Sequence, residues 1–568
     1  MGVEAEGGQA VEASLPIEAP RLVCADCGHK EPLRGMPFQC PACGGAWLDV
    51  EYDYERIARL WPQALVGRPC NMWRYHELLP LLKASNRVTM GEGGTPLLHA
   101  GNLGLMLGCP HIYIKDERQG PTGSFKDRQA SLSISVMKEL GVTEAVVAST
   151  GNVAISYSAY SAMAGIKLWA FITSLVPAEK MREVAIYGSE VVKVTGTYDL
   201  TKEVAAEFAQ RQGLFLDRGI RSIAARESMK TVAFEIAEQL PLFLGNGSTP
   251  WRAPDWYFQA VSGGMGPVGV WKGYQELLKM GLVDRVPRLA CIQAEGCAPM
   301  VWSFQKGLDV AEPVLNPRTR VITLATGNPG LAYTFLVRVV RQHGGAFEAV
   351  SDEETFRAIH VMAKLDGISM EPAAAVAFAG LFKLLSKGVV QRDEVIVVNC
   401  SGHTFPVEKH LLGDDWARTV EVPLGAPAEE GLLGTLEQLD RNVRRIAILE
   451  DDANAARLLR RILQARGDYQ IFEARDGRTG LEMIRRERPD LILLDLMMPE
   501  VDGFGVLEAL RADKELEGVP VVVVTAKELT PAERARLSGH IRLLLQKGTF
   551  TDEDLLHQVL DALEKDGP

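Results

Sequence analysis

The sequence lacks any run of about 18 apolar residues, so nothing in it reads as a membrane-spanning helix. It also lacks an excess of positive charge: 61 Lys and Arg stand against 73 Asp and Glu, for a formal charge of -12. Phosphate backbones are gripped by clustered cations, so this balance argues against nucleic acid as a main partner. Neither an internal repeat nor a long low-complexity tract is present. Met1 to Ala19 is acidic and has no basic-then-apolar targeting pattern; the expectation is a cytoplasmic protein with a disordered head over 1–20. The apolar content of 47% is ordinary for packed cores. A chain of 568 residues is too long for one of them, and about three or four units are expected.

Cysteine is scarce as well, and its placement is informative. Five of the nine (Cys70, Cys109, Cys291, Cys297, Cys400) are scattered and read as small core residues. The other four form two C-x2-C pairs, Cys24/Cys27 and Cys40/Cys43, with 12 residues between the pairs. In a cytoplasmic chain such pairing points to metal rather than disulfides. Each turn offers two sulfurs to one ion, and Gly28 and Gly44–Gly45 supply the small residues that such knuckles need. The segment 21–50 resembles a zinc ribbon with structural Zn²⁺, because all four positions are filled by protein. Four unrelated buried cysteines are the plainer alternative.

From 51 to 424 the chain reads as a long α/β body. Strand-like runs (Ala145–Ala148, Trp169–Ile172, Val191–Val194, Val395–Val398) alternate with helical stretches such as Ser131–Leu140 and Lys230–Leu240. A Pro/Gly/Ala/Glu stretch around Val422–Gly431 marks a linker, placed at 425–442, and a second α/β pattern fills 443–568.

Three strand-end loops of the body are rich in Gly, Ser and Asn: Ser149-Thr150-Gly151-Asn152, Ser262-Gly263-Gly264-Met265-Gly266 and Ser401-Gly402-His403. Lys126 sits in Thr122-Gly-Ser-Phe-Lys-Asp-Arg128, just before a predicted helix. Such loops suit a phosphorylated ligand held at helix N-termini, although each alone could be ordinary turn chemistry.

Together with Met72-Trp-Arg-Tyr75, Gly91-Glu-Gly-Gly-Thr-Pro96, Gln293-Ala-Glu-Gly-Cys-Ala-Pro299 and Glu371-Pro372, these motifs resemble the threonine synthase family over about residues 21–415. The resemblance implies a two-domain, fold-type II pyridoxal-phosphate (PLP) enzyme, tryptophan synthase β-like in fold, and a homodimer. It implies that Lys126 forms the Schiff base with the cofactor and later moves protons. Asn152 would meet the ring hydroxyl, Ser262–Gly266 would wrap the phosphate, and Ser401 would face the ring nitrogen as a neutral hydroxyl. Ser149, Thr150 and Gly151 would hold the substrate carboxylate. The implied reaction turns O-phosphohomoserine and water into threonine and phosphate. Three departures bear on the substrate: Val153 stands where the family usually has Thr, Ser-Gly-Gly-Met-Gly replaces Gly-Asn-x-Gly-Asn, and Thr404-Phe405-Pro406 replaces Gly-Leu-Lys. Elimination or β-replacement on serine-like or O-phosphoserine substrates, of the threonine/serine dehydratase or cysteate synthase type, is the neighbouring reading. A PLP body turned ligand sensor or signalling scaffold is another.

The C-terminal pattern carries Glu450-Asp451-Asp452, Asp495, Thr525 and Lys547, each at the end of an apolar strand. In an open parallel sheet these ends share one edge, where grouped carboxylates suit Mg²⁺ and an Asp can accept a phosphoryl group. The set resembles a response-regulator receiver of flavodoxin-like fold. It implies Asp495 as phosphoacceptor, Glu450, Asp451 and Asp495 around Mg²⁺, Thr525 and Lys547 on the phosphoryl oxygens, and a sensor histidine kinase or phosphotransfer protein as partner. Leu544 replaces the usual aromatic switch and Lys547-Gly548 the usual Lys-Pro.

Overall fold

The computed structural model describes residues 17–404 except 246, and 444–546 except 465–468, 514–515, 517, 526–528, 531–532, 534–535, 538–540 and 542. The expected linker at 425–442, Phe405-Pro406, Lys547-Gly548 and most of the expected head lie outside these residues. The chain divides into two compact units. One holds the described residues up to His99 together with Tyr113–Ile359 and 370–404; the other holds Ala100–Ile112, His360–Ser369 and the described residues from 444 onward.

The cysteine-bearing segment is a three-stranded antiparallel sheet, with Arg21–Cys24 between Lys30–Pro32 and Leu48–Glu51. Its own core is small (Leu22, Leu33, Leu48, Val50), so it completes itself against the body. Trp47 stacks on Phe335 at 4.7 Å and 8°, and the Arg226 guanidinium lies 4.6 Å from the Trp47 ring while donating to the Leu48 carbonyl. Lys272 pairs with Asp49 (2.9 Å), donates to the Val50 carbonyl and meets Glu227. Tyr52 donates to Glu227 at 2.7 Å.

The body contains two sheets. One is parallel and runs Glu190–Val194, Lys167–Thr173, Glu144–Ser149, Phe215–Leu216. The other runs Ala346–Val350, Arg288–Ala294, Trp256–Ala260, Ile396–Cys400, Ile112–Asp116, Leu97–His99, with the last two antiparallel. The strand-like runs read from sequence fall in these strands, save that Val395 precedes its strand and accepts there from the Asp255 and Trp256 N–H groups. Both helices start earlier than expected, at Lys126–Glu139 and Ile223–Gln239. Every side chain from Asp127 to Met137 is buried, polar ones included, so no apolar stripe announces the helix start.

Arg128 supplies the reason that polar groups can lie there. Buried to 1% exposure, it pairs with Glu117 (2.7 Å) and Glu235 (2.6 Å) and reaches the Thr231 hydroxyl at 3.0 Å. Lys115, with no exposed surface, shares Glu235 at 2.7 Å. Burial alone would raise the Glu235 carboxyl, but Arg128 and Lys115 hold it well below the usual carboxylate range.

The C-terminal sheet has five parallel strands in the order Tyr469–Ala474, Arg444–Leu449, Leu491–Leu494, Val521–Thr525, Leu543–Gln546. Numbered along the chain this is 2-1-3-4-5, the doubly wound order. Four of these strands are evident in the sequence. Tyr469–Ala474 is not: it is a part-exposed edge strand whose polar and apolar residues alternate weakly. Among the described residues no helix is long and apolar enough to cross a membrane.

Replacing Arg128 by Met should strand the buried Glu117 carboxylate and leave Glu235 with Lys115 alone. Losing one partner of a buried ion pair costs about 3–5 kcal/mol, which should appear as a lowered urea midpoint. An unchanged midpoint would mean that the network contributes nothing net.

Candidate functional site

In both body sheets the strand C-termini converge on one cavity of about 870 Å³. Ser149 ends Glu144–Ser149, Asp217 follows Phe215–Leu216, Val261 follows Trp256–Ala260 and Ser401 follows Ile396–Cys400; all four line it. Open parallel sheets bind ligands at such ends.

Lys126, the first residue of its helix, lines the cavity with its ammonium 4.3 Å from the Phe125 ring centre. Burial pushes its pKa down to about 8, against the pull of Asp217 toward the ammonium form. A polar chain joins the two: Lys126 to Gln129 at 3.5 Å, Gln129 Nε2 to Tyr157 Oη at 3.2 Å, and Tyr157 donating to Asp217 at 2.9 Å. The Gly219 N–H donates to the other Asp217 oxygen at 2.8 Å. Neither Asp217 nor Tyr157 is flagged by the sequence, since a single Asp after a two-residue strand resembles a turn.

Asn152 is locked by a second buried cluster. Its Nδ2 donates to Glu371 (2.5 Å), and its Oδ1 accepts from Lys180 (2.5 Å) and lies 3.0 Å from the Thr404 hydroxyl. Lys180 also pairs with Glu371 at 3.0 Å; burial would raise that carboxyl, yet Lys180 keeps it below its ordinary value. One Asn152 N–H is left for a ligand oxygen. Lys180 is a residue that motif reading missed, because an Ala-Glu-Lys run looks like a solvated helix face.

Ser262–Gly266 lies at the N-terminus of Met265–Lys279 and lines the cavity throughout. Gly264 adopts φ +78°, and a Cβ there would crowd Leu336 and Met300. Gly263 has open space where a Cβ would stand, leaving room for a ligand against the backbone. Ser262 is hydrogen-bonded to Thr326. The Ser401 hydroxyl faces the cavity with no protein partner among the described residues. Ser149, Thr150 and Val153 also line it, but Gly151 does not: its N–H donates to Ser149 Oγ, which accepts from Ala154 N–H as well. Thr150 donates to the Thr323 carbonyl. A lowered-pKa lysine, a free hydroxyl and a glycine cradle at a helix N-terminus fit a phosphorylated aldehyde cofactor.

The profile of the family described as "Pyridoxal-phosphate dependent enzyme" matches residues 88–402. The chain belongs to that family. Within it the chain is 36% identical to a threonine synthase of Methanocaldococcus jannaschii over 382 residues, covering 67% of this chain and 91% of that protein. It is 33% identical to the threonine synthase of Methanosarcina acetivorans (67% and 91%) and 34% identical to that of Mycobacterium bovis (58% and 86%). The profile described as "Response regulator receiver domain" matches residues 446–560. The protein is therefore a threonine-synthase-like PLP-dependent lyase fused to a receiver domain. Bound PLP supplies an electron sink through which bonds at an amino acid's α-carbon weaken.

Two further clusters bring ligating side chains together. Ligand atoms of Glu450, Asp451 and Asp495 lie within 4.8 Å of one another, Glu450 and Asp495 buried and Asp451 exposed. Thr525, also buried, ends the neighbouring strand, while Lys547 lies outside the described residues. The sulfurs of Cys24, Cys27, Cys40 and Cys43 are equally close, with Cys24–Cys43 at 3.6 Å and Cys27–Cys40 at 3.8 Å. Each pair forms the same knuckle: Gly28 (φ +72°) and Gly44 (φ +74°) donate N–H to the Cys24 and Cys40 carbonyls at 2.9 Å. The Cys27 N–H helps pull Cys24 down to about 7. Although the Gly45 N–H favours a Cys43 thiolate, the neighbouring Cys27 and Cys24 sulfurs push that thiol up to about 12. Four crowded sulfurs that cannot all ionise unaided are a donor set suited to a soft dication.

The Lys126 amine reacts with an aldehyde only when neutral. In the cofactor-free protein the rate of PLP capture should rise with pH through a midpoint of about 8. Asp217 favours the charged form, so Asp217→Asn should move that midpoint downward. A midpoint unmoved, or moved upward, would remove Asp217 from the lysine's environment.

Proposed function

We propose that the chain converts O-phosphohomoserine and water to threonine and phosphate, under control of aspartyl phosphorylation at Asp495. The observation that carries this reading is cationic: Arg218 and Arg221 line the Lys126 cavity, and neither has a carboxylate partner among the described residues. A phosphate at the far end of an amino-acid substrate complements them. The names of the relatives point the same way.

In this reading Lys126 carries the cofactor and then moves protons at the substrate carbons, while Asn152 meets the ring oxygen. Backbone N–H groups of Ser262, Gly263, Gly264, Met265 and Gly266 hold the cofactor phosphate, and Ser401 faces the ring nitrogen. A neutral hydroxyl there stabilises ring protonation less than a carboxylate would. Ser149 and Thr150 receive the substrate carboxylate at the start of Asn152–Ala164, with the Gly151 N–H taken by the Ser149 hydroxyl. The C–O bond to phosphate breaks, and water's hydroxyl ends on the neighbouring carbon. Val153, an apolar side chain lining the cavity, favours a second reading: elimination or replacement on serine or O-phosphoserine.

At the receiver, Glu450, Asp451 and Asp495 hold Mg²⁺, Asp495 takes a phosphoryl group from a histidine kinase or phosphotransfer protein, and Thr525 and Lys547 stabilise its oxygens. Added charge there alters enzyme output only if the body contacts the two receiver states differently.

The test is to give the holoenzyme O-phosphohomoserine, O-phosphoserine, serine and threonine and to measure phosphate, threonine and ketoacid. Threonine with phosphate supports the first reading and ketoacid the second; Lys126→Ala should abolish either. Repeating the assay with a small phosphodonor and Mg²⁺ should change turnover by roughly 5- to 150-fold, and Asp495→Asn should not respond. No product from any of the four would overturn both readings.

We also propose one structural Zn²⁺ on Cys24, Cys27, Cys40 and Cys43. Metal analysis should find about one zinc per chain, lost in Cys40→Ser. Zinc retained in full by that variant would refute the site.

A further inference from the structure

We infer that the cysteine-bearing ribbon forms part of the amino-acid site, with Phe38 acting as the residue that positions Arg218 for a substrate's distal anion. The inference rests on the phosphorylated-substrate reading above and names the device that would give it specificity.

Phe38 lies two residues before Cys40, yet it lines the same cavity as Lys126. Its ring centre is 5.1 Å from the Arg218 guanidinium carbon and 5.9 Å from the Phe215 ring, tilted by 48°. Arg218 is exposed and has no carboxylate partner among the described residues, so the aromatic face is its orienting contact. Lys202, another flexible cation on the cavity wall, is already paired with Asp199 at 2.6 Å.

A free arginine loses considerable rotamer freedom when it grips an anion, and that loss weakens binding. Stacking on a fixed ring restricts the guanidinium beforehand while leaving its in-plane N–H groups open. Phe38 is itself fixed. The ribbon is pinned by the Trp47–Phe335 stack, by Arg226 on the Leu48 carbonyl and by Lys272 between Asp49 and Glu227. The wall of the cavity therefore depends on a fold element that is remote from the lysine in sequence and held in shape by four cysteines.

The experiment uses the PLP-loaded full chain. The probes are the phosphonate isostere of O-phosphohomoserine, which has no leaving group, and norvaline, which has the same carbon chain without the acid. Dissociation constants are read from the cofactor's visible absorbance. The wild-type chain should prefer the phosphonate. Phe38→Ala should weaken phosphonate binding roughly three- to tenfold and leave norvaline unchanged, with Phe38→Tyr restoring the preference. Arg218→Ala should lose at least as much, and the double variant should be no worse than Arg218→Ala alone. Unchanged zinc content and circular dichroism in Phe38→Ala would show that the ribbon still folds. If the wild-type chain binds both probes alike, the phosphorylated-substrate reading fails and takes this inference with it. If the wild-type chain discriminates, the inference alone falls should Phe38→Ala discriminate equally, weaken both probes equally, or add fully to Arg218→Ala.

Discussion

A guanidinium with almost no access to water governs the geometry of the lysine. Arg128 stands two residues after Lys126 on the same helix and bonds Glu117, from the turn after one central strand, and Glu235, from a helix more than a hundred residues away. Lys115 completes the group through Glu235. Two carboxylates against two cations leave the network neutral, the condition under which buried charge is tolerable. Its planar forks also fix direction, which an apolar core of equal volume would not. The first turn of the lysine helix is thus tied to two other elements, which fixes where its first residue stands.

The cavity depends on that placement and on the convergence of two sheets. Strand ends supply short loops that border one space, and several side chains around it are held by neighbours before any ligand arrives. Asn152 is clamped by Lys180, Glu371 and Thr404, and Asp217 by Tyr157 and Gly219. By contrast, among the described residues the Ser401 hydroxyl has no protein partner, and Arg218 and Arg221 have no carboxylate partner.

The glycine-rich loops, the embedded lysine and the cysteine pairs were legible in the sequence because each is a short, contiguous signal with its own chemistry. The receiver carboxylates were legible for the same reason: apolar strands ending in Asp or Thr stand out. What stayed hidden is non-local. Asp217, Lys180 and Phe38 belong to three different elements, and only folding places them near Lys126 or Asn152. The early start of the lysine helix stayed hidden because a helix buried all round has no polar face to mark its period. Gly151 was expected at the ligand; the structure turns its N–H to Ser149 instead, a helix-capping use that sequence cannot separate from a binding one.

The charges that fasten the ribbon to the body also limit how the gene can be rearranged. Lys230, with no exposed surface, lies 4.1 Å from the Tyr52 ring centre, and Glu227 accepts from Tyr52 and pairs with Lys272, which in turn pairs with Asp49. A recombination breakpoint between the ribbon and the first body helix, Tyr54–Ala64, would expose this cluster to water and strip it of Asp49 and Tyr52. Ribbon and body are then a single heritable module despite the ribbon's small size. Shuffling that trades the receiver for another regulator leaves these residues intact, whereas shuffling that trades the ribbon must bring compensating charges on two helices at once.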